Sequence, residues 1–190
     1  MSGAETIRIT DLAHPDLSPR AREFIAATRD ITVDFTVEAV RQAAAAQLNG
    51  IELYEDAGLR ERLGVLCAAI DEDTDLSAMG RLSLFGMLVR YLVQRCRLEQ
   101  LYREDPEIDA VEIRAPLVIT GLPRSGTTHL LNLISTDHRL RSLQYWESLE
   151  PIPRAGERVP PGAEDPRIQR CRDELAMREE ILPLFNAMHD

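Results

Sequence analysis

A chain of 190 residues with 44% apolar and 28% charged residues has the composition of a globular protein, either one domain or one domain with a helical extension. Its net charge of −10 argues against a nucleic-acid partner, which would need a basic face, and its most apolar window, residues 82–93, is broken by Arg90 and too short to span a bilayer. Cys67, Cys96 and Cys171 lie far apart with no metal-ligand spacing, and no basic-then-apolar leader opens the sequence, so a cytoplasmic chain with reduced thiols, no membrane insertion and no metal is expected.

The first 16 residues are polar and irregular, with His14-Pro15 discouraging a helix. At Ser18-Pro19 the pattern turns helical, because Ser caps well and Pro suits the first helical position. A second helix is predicted from Thr36 through the alanines at 43–46 to the stop signal Asn49-Gly50. A third starts near Tyr54, with Leu59, Leu63, Leu66 and Ile70 at helical spacing. The fourth, over residues 77–102, carries the apolar stripe Leu82, Phe85, Val89, Leu92 and Cys96 and ends at Asp105-Pro106.

The texture changes at Ala115. Residues 117–120, Leu-Val-Ile-Thr, form a short apolar run between Pro116 and Gly121, which predicts a strand buried in a parallel sheet. A helix is predicted over residues 127–135, with Leu130, Leu131 and Ile134 on one face. Residues 141–145 are a candidate second strand, followed by Trp146 and Glu147. Residues 150–165 hold Pro151, Pro153, Pro160 and Pro161 and read as a long loop, and a last helix begins near Asp165-Pro166.

Between the expected strand and helix lies Gly-Leu-Pro-Arg-Ser-Gly-Thr-Thr at 121–128, with the glycine spacing of a nucleotide-binding loop. Gly121 permits a tight turn off the preceding segment, and Gly126 lets the backbone approach an oxyanion. The amides of Ser125, Gly126, Thr127 and Thr128 would then face the anion at the positive end of a helix, with the Ser and Thr hydroxyls as further donors. The Lys that a triphosphatase places after the second glycine is Thr127 here. The strong cation is Arg124 instead, a forked donor suited to an oxyanion carrying no metal. Charge agrees with this placement: residues 115–158 hold five Arg against four acids, whereas the chain as a whole is strongly acidic. All 22 basic residues are Arg, exposed helices included, which reads as codon bias before it reads as function.

This loop resembles the one by which sulfotransferases hold the 5′-phosphosulfate of PAPS (3′-phosphoadenylyl sulfate), in the Arg-containing version of the tyrosylprotein-type and bacterial branch. The likeness runs on through Tyr-Trp-Glu-Ser-Leu-Glu-Pro at 145–151 and, more loosely, over the helical N-terminal region. The resemblance implies PAPS as co-substrate. It gives Arg124 the role of contacting the phosphosulfate and stabilising the leaving group, and makes Ser125, Gly126, Thr127 and Thr128 the phosphate cradle. It also implies a small-molecule acceptor and a general base about twenty residues past the Arg. Glu147 lies 23 residues past Arg124, so that correspondence assumes a short insertion; Glu150 is the next candidate, and His129 and His138 are lesser ones.

The expected architecture is therefore α/β: a P-loop-like three-layer fold with a parallel sheet over residues 111–190, incomplete in this chain, after an all-helical region over residues 1–110. Loop and Glu147 would open on one sheet edge, at the carboxyl ends of neighbouring strands. The Arg and Ser that bind the 3′-phosphate of PAPS in the family have no counterpart here, so the chain reads as an N-terminal portion, inactive alone. The other function class is a non-catalytic binding or scaffold module whose helical face, residues 18–102, mediates association, pairing of two copies included. A small-molecule kinase would need a Mg²⁺-binding Asp after a later strand, and none is evident.

Overall fold

The computed structural model describes residues 16–54, 56–73, 75–123, 125–154 and 156–182, and their regular structure is helical throughout. The elements are α1 (Pro19–Thr28), α2 (Val37–Ala45), α3 (Ala57–Glu72), α4 (Ala78–Glu104), a 3-10 turn (Pro106–Ala110), α5 (Thr127–Ile134), α6 (Tyr145–Leu149) and α7 (Pro166–Ile181). No helix of the described residues is long and apolar enough to cross a membrane.

The helix starts are written in local chemistry. The hydroxyls of Ser18, Thr36 and Ser77 and the carboxylate of Asp56 each accept a hydrogen bond from an amide three residues on, so one orphan N–H of each first turn is satisfied. Asp165 accepts from the Arg167 amide, two residues on, and Pro19 and Pro166 occupy first-turn positions where no amide is missed. After α2, Asn49 and Gly50 adopt positive φ of 50° and 91° and turn the chain towards α3.

The core lies between α2, α3 and α4. Val40 and Ala44 from α2, Leu48 behind it, Leu63 and Cys67 from α3, and Leu88, Val89, Leu92, Val93 and Cys96 from α4 are all buried. Phe35 joins them, meeting Phe85 edge-to-face at 5.9 Å between ring centres, with the Arg81 guanidinium over its ring. The stretch before α3 is anchored by the Tyr54 amide, which donates to Cys96 Sγ at 3.3 Å. On α3 the step of three from Leu63 misleads: Leu66 is half exposed, and Cys67, four residues on, takes the inward place. Helix α1 packs on α4 and on α7, and α6 packs on α7. Ser18 donates its hydroxyl to the Glu180 carbonyl, and Arg20 pairs with the Glu180 carboxylate at 2.8 Å, so the start of α1 is closed onto the end of α7.

The α/β fold with a parallel sheet is overturned, since no strand forms among the described residues. Residues 117–120 are unpaired rather than a buried strand. Leu117 is 69% exposed and Val118 76%, and residues 112–121 make no backbone-to-backbone hydrogen bond among the described residues. Strand preference in such residues is a preference for a pleated, covered surface with neighbours on both edges, and no neighbouring run supplies one. Residues 141–145 fail as a strand for a more local reason. Gln144 and Glu147 form the start of α6, which recruits Tyr145 as its first residue.

Candidate anion-binding loop

Residues 121–128 fold into a closed turn that favours glycine at 121 and 126. The Ser125 amide donates to the Leu122 carbonyl at 3.2 Å, bringing residue 125 back over residue 121. A Cβ on Gly121 would lie 2.6 Å from Ser125 Oγ and 2.9 Å from Thr127 Cγ2, closer than any side chain tolerates. Gly126 has φ +90°, a left-handed conformation that costs other residues about 1–2 kcal/mol. It is the N-cap of α5 and brings no side chain to its first turn, so no cap hydrogen bond covers the amides there among the described residues. Ser125, Gly126 and Thr128 are exposed and Thr127 is half-buried. Amides held open at the positive end of an eight-residue helix, with three hydroxyls beside them, are the donors an oxyanion needs. Arg124 lies outside the described residues.

The histidines stand apart from any constellation. His129 is exposed in the first turn of α5, and His138 is exposed in the turn that follows it. On α5, Leu130, Leu131 and Leu133 are 40–60% exposed, so this helix presents apolar surface rather than sealing a core.

Glu147 sits on α6, not at a strand end, and the shared sheet edge that would have joined it to the loop does not exist. Its side chain is only 14% exposed. Oε2 accepts from the Gln144 amide at 2.9 Å, and Oε1 receives a guanidinium hydrogen bond from Arg141. Both oxygens therefore hold a donor, and Arg141 competes with any further donor for Oε1. Trp146 lies beneath the Arg167 guanidinium at 4.6 Å.

Glu150 belongs to a separate ion-pair cluster between α6 and α7. Arg154 reaches it at 2.8 Å and Arg170 Nε at 2.9 Å, while Arg170 Nη1 also reaches Glu157 at 2.7 Å. Burial would raise the Glu150 carboxyl, but the hydrogen bonds from Arg170 and Arg154 outweigh it and hold the group below its ordinary range. Glu157 is lowered as well, chiefly by its hydrogen bond from Arg170. Arg97, on α4, faces the same cluster; burial lowers its guanidinium pKa, opposed by the nearby Glu150. Carboxylates so firmly ionised are ion-pair partners and weak proton acceptors.

Sequence reasoning did not foresee this cluster. The four-residue spacing from Glu150 to Arg154 and the four arginines of α7 were its only signs, and neither announces which partners meet across space. Compared with family models, characterised proteins and solved structures, this chain matches none of them.

Proposed function

We propose that residues 121–128 are a phosphosulfate-binding loop and that the protein serves sulfuryl transfer from PAPS to an acceptor hydroxyl or amine. One observation carries the reading: the left-handed Gly126 opens α5 with uncovered amides, directly after a turn in which the Ser125 and Thr127 side chains close over Gly121. Ser125, Gly126, Thr127 and Thr128 cradle the 5′-phosphosulfate. Arg124, by its place in the motif, steadies the charge that builds on the bridging oxygen. The acceptor oxygen or nitrogen forms a bond to sulfur as the bond from sulfur to the phosphate oxygen breaks, leaving adenosine 3′,5′-bisphosphate. Glu147, released by Arg141, takes the acceptor's proton. With a loose transition state, positioning and charge stabilisation supply most of the catalysis.

The helical-module reading is favoured by one fact: apart from α1's Ala21 and Thr28, every buried side chain described lies on α2 to α4 or the segments flanking α2, and none lies on the loop or α5. A non-catalytic protein could use that bundle for association and keep the loop as an anion site. Calorimetry with adenosine 3′,5′-bisphosphate and a transfer assay from labelled PAPS to a panel of phenols and amines separate the two. Binding that Arg124→Ala weakens at least tenfold is the expected result, with transfer only in a longer chain that supplies the 3′-phosphate ligands. A chain that does not bind the bisphosphate overturns the reading; binding without transfer, in the longer chain as well, leaves the helical module.

A further inference from the structure

An open groove of about 460 Å³ runs between α4 and α7, with Phe24 of α1 at its side, and none of these elements holds the loop. Its α4 wall is the stripe Met79, Ser83, Gly86 and Arg90, about 16 Å long at helical rise. Its α7 wall is Glu174, Met177, Arg178 and Ile181. Arg90 faces Glu174, and Arg97, further along α4, lies near Arg170, earlier on α7, so the two walls run antiparallel and the groove has unlike ends. The end near Met79, Ile181 and Leu182 is apolar, and the other is charged.

Three observations say what it takes. The volume is that of a small-molecule site, and Met79, Met87 and Met177 give it a soft, adaptable lining. Gly86 sits mid-helix, where glycine costs about 1 kcal/mol against alanine, yet a Cβ there would meet nothing within 4 Å. Packing does not require this glycine; its effect is to keep the groove floor open. At the charged end, two guanidinium groups share one carboxylate. Arg178 Nη2 holds Glu174 at 3.0 Å, whereas Arg90 Nη1 stands 3.4 Å from both Glu174 oxygens, a stretched contact that a better acceptor can displace.

We infer that this groove binds an elongated apolar molecule with an anionic head group, its chain laid along Met79–Gly86–Met177 and its head on Arg90. The probe is dodecanoate, kept below its micelle-forming concentration, added to the whole chain carrying ¹³C-methyl methionine. The Met79, Met87 and Met177 resonances should shift together, assigned through single Met→Leu variants. Dodecanol and dodecyltrimethylammonium should bind at least tenfold more weakly. Arg90→Gln should abolish that preference while retaining alcohol binding. Gly86→Phe should block all three ligands, with a thermal unfolding midpoint at or above that of the parent.

The inference fails if dodecanoate leaves the three methyls unmoved, if the alcohol binds equally well, or if Gly86→Phe binds as the parent does. It fails too if a ligand-free variant with Leu184→Ser and Phe185→Ser shifts the groove methyls, which would make the chain's own end the occupant. Methyl shifts that grow with protein concentration would assign the groove to a second copy and overturn it likewise.

Discussion

Arg170 bridges Glu150 and Glu157: one guanidinium donates through Nε to the first at 2.9 Å and through Nη1 to the second at 2.7 Å, so residues 150–157 are held against α7. Arg170→Leu removes all four hydrogen bonds that Arg170 gives these two residues and leaves two partly buried carboxylates short of donors. The expected loss is about 1–3 kcal/mol at neutral pH, read by urea unfolding. Both carboxyls are lowered in the folded chain, so their contribution is complete above the unfolded carboxyl pKa and is lost as pH falls through the folded value. The parent should therefore weaken on acidification below about pH 4.5, and the variant should weaken less. Equal slopes for both would show that the bridge contributes nothing.

The two glycines of the loop act differently. At Gly121 a methyl group meets Ser125 Oγ and Thr127 Cγ2, so Gly121→Ala must displace the two side chains that bring hydroxyls to the loop. At Gly126 the space is empty and only the backbone objects, so Gly126→Ala strains φ by about 1–2 kcal/mol. Calorimetry should show bisphosphate affinity falling more than tenfold in both. The unfolding midpoint of the helical bundle should barely move, because no residue of α5 is buried. A loop that tolerates both changes at full affinity is not the anion site.

Glu147 has two roles to separate. As the residue that accepts the Gln144 amide at the start of α6, it can be replaced by Gln, which also serves in capping boxes. As a proton acceptor it cannot. Glu147→Gln should keep stability within about 0.5 kcal/mol while lowering sulfate transfer, read in a longer chain that carries the 3′-phosphate ligands, about 100-fold or more. Arg141→Ala frees Oε1 and should raise transfer at limiting acceptor. Were Glu147→Gln to transfer at the parental rate, the base would lie elsewhere.

Within the bundle, Leu92 is 6% exposed and Leu66 is 50% exposed, although both belong to apolar stripes in the sequence. Leu92→Ala should cost about 2–5 kcal/mol in urea unfolding, and Leu66→Gln less than about 0.5. Reversed magnitudes would misplace the α3–α4 interface.

The helices were legible because their causes are local. Ser18, Thr36, Asp56, Ser77 and Asp165 each cap within three residues of themselves, and a stripe such as Val89–Leu92–Cys96 needs no knowledge of its partner. Residues 117–120 were misread for the converse reason. Being a strand is a property of pairs, and Leu117 and Val118 find no pair here. The start of α6 was visible as Gln144 followed by Glu147, but the aromatic residues between them drew the reading towards a strand. Of the site, the glycine positions were readable from spacing alone. The Arg170 bridge and the α4–α7 groove depend on which surfaces meet, and that information is spread over residues as far apart as Arg90 and Glu174, 84 positions.

Cys67 and Cys96 lie 2% and 1% exposed at the centre of the bundle, and burial pushes the Cys67 thiol above its ordinary pKa. Cys171 sits at intermediate depth on α7. A thiol must reach solvent and ionise before an alkylating reagent can capture it, so the two inner sulfurs are clocks for separation of α2 to α4, and Cys171 times motion of α7. Mass-resolved alkylation would then give two opening frequencies from one unlabelled sample. Since the Tyr54 amide leans on Cys96 Sγ, the Cys96 clock also registers release of the segment before α3.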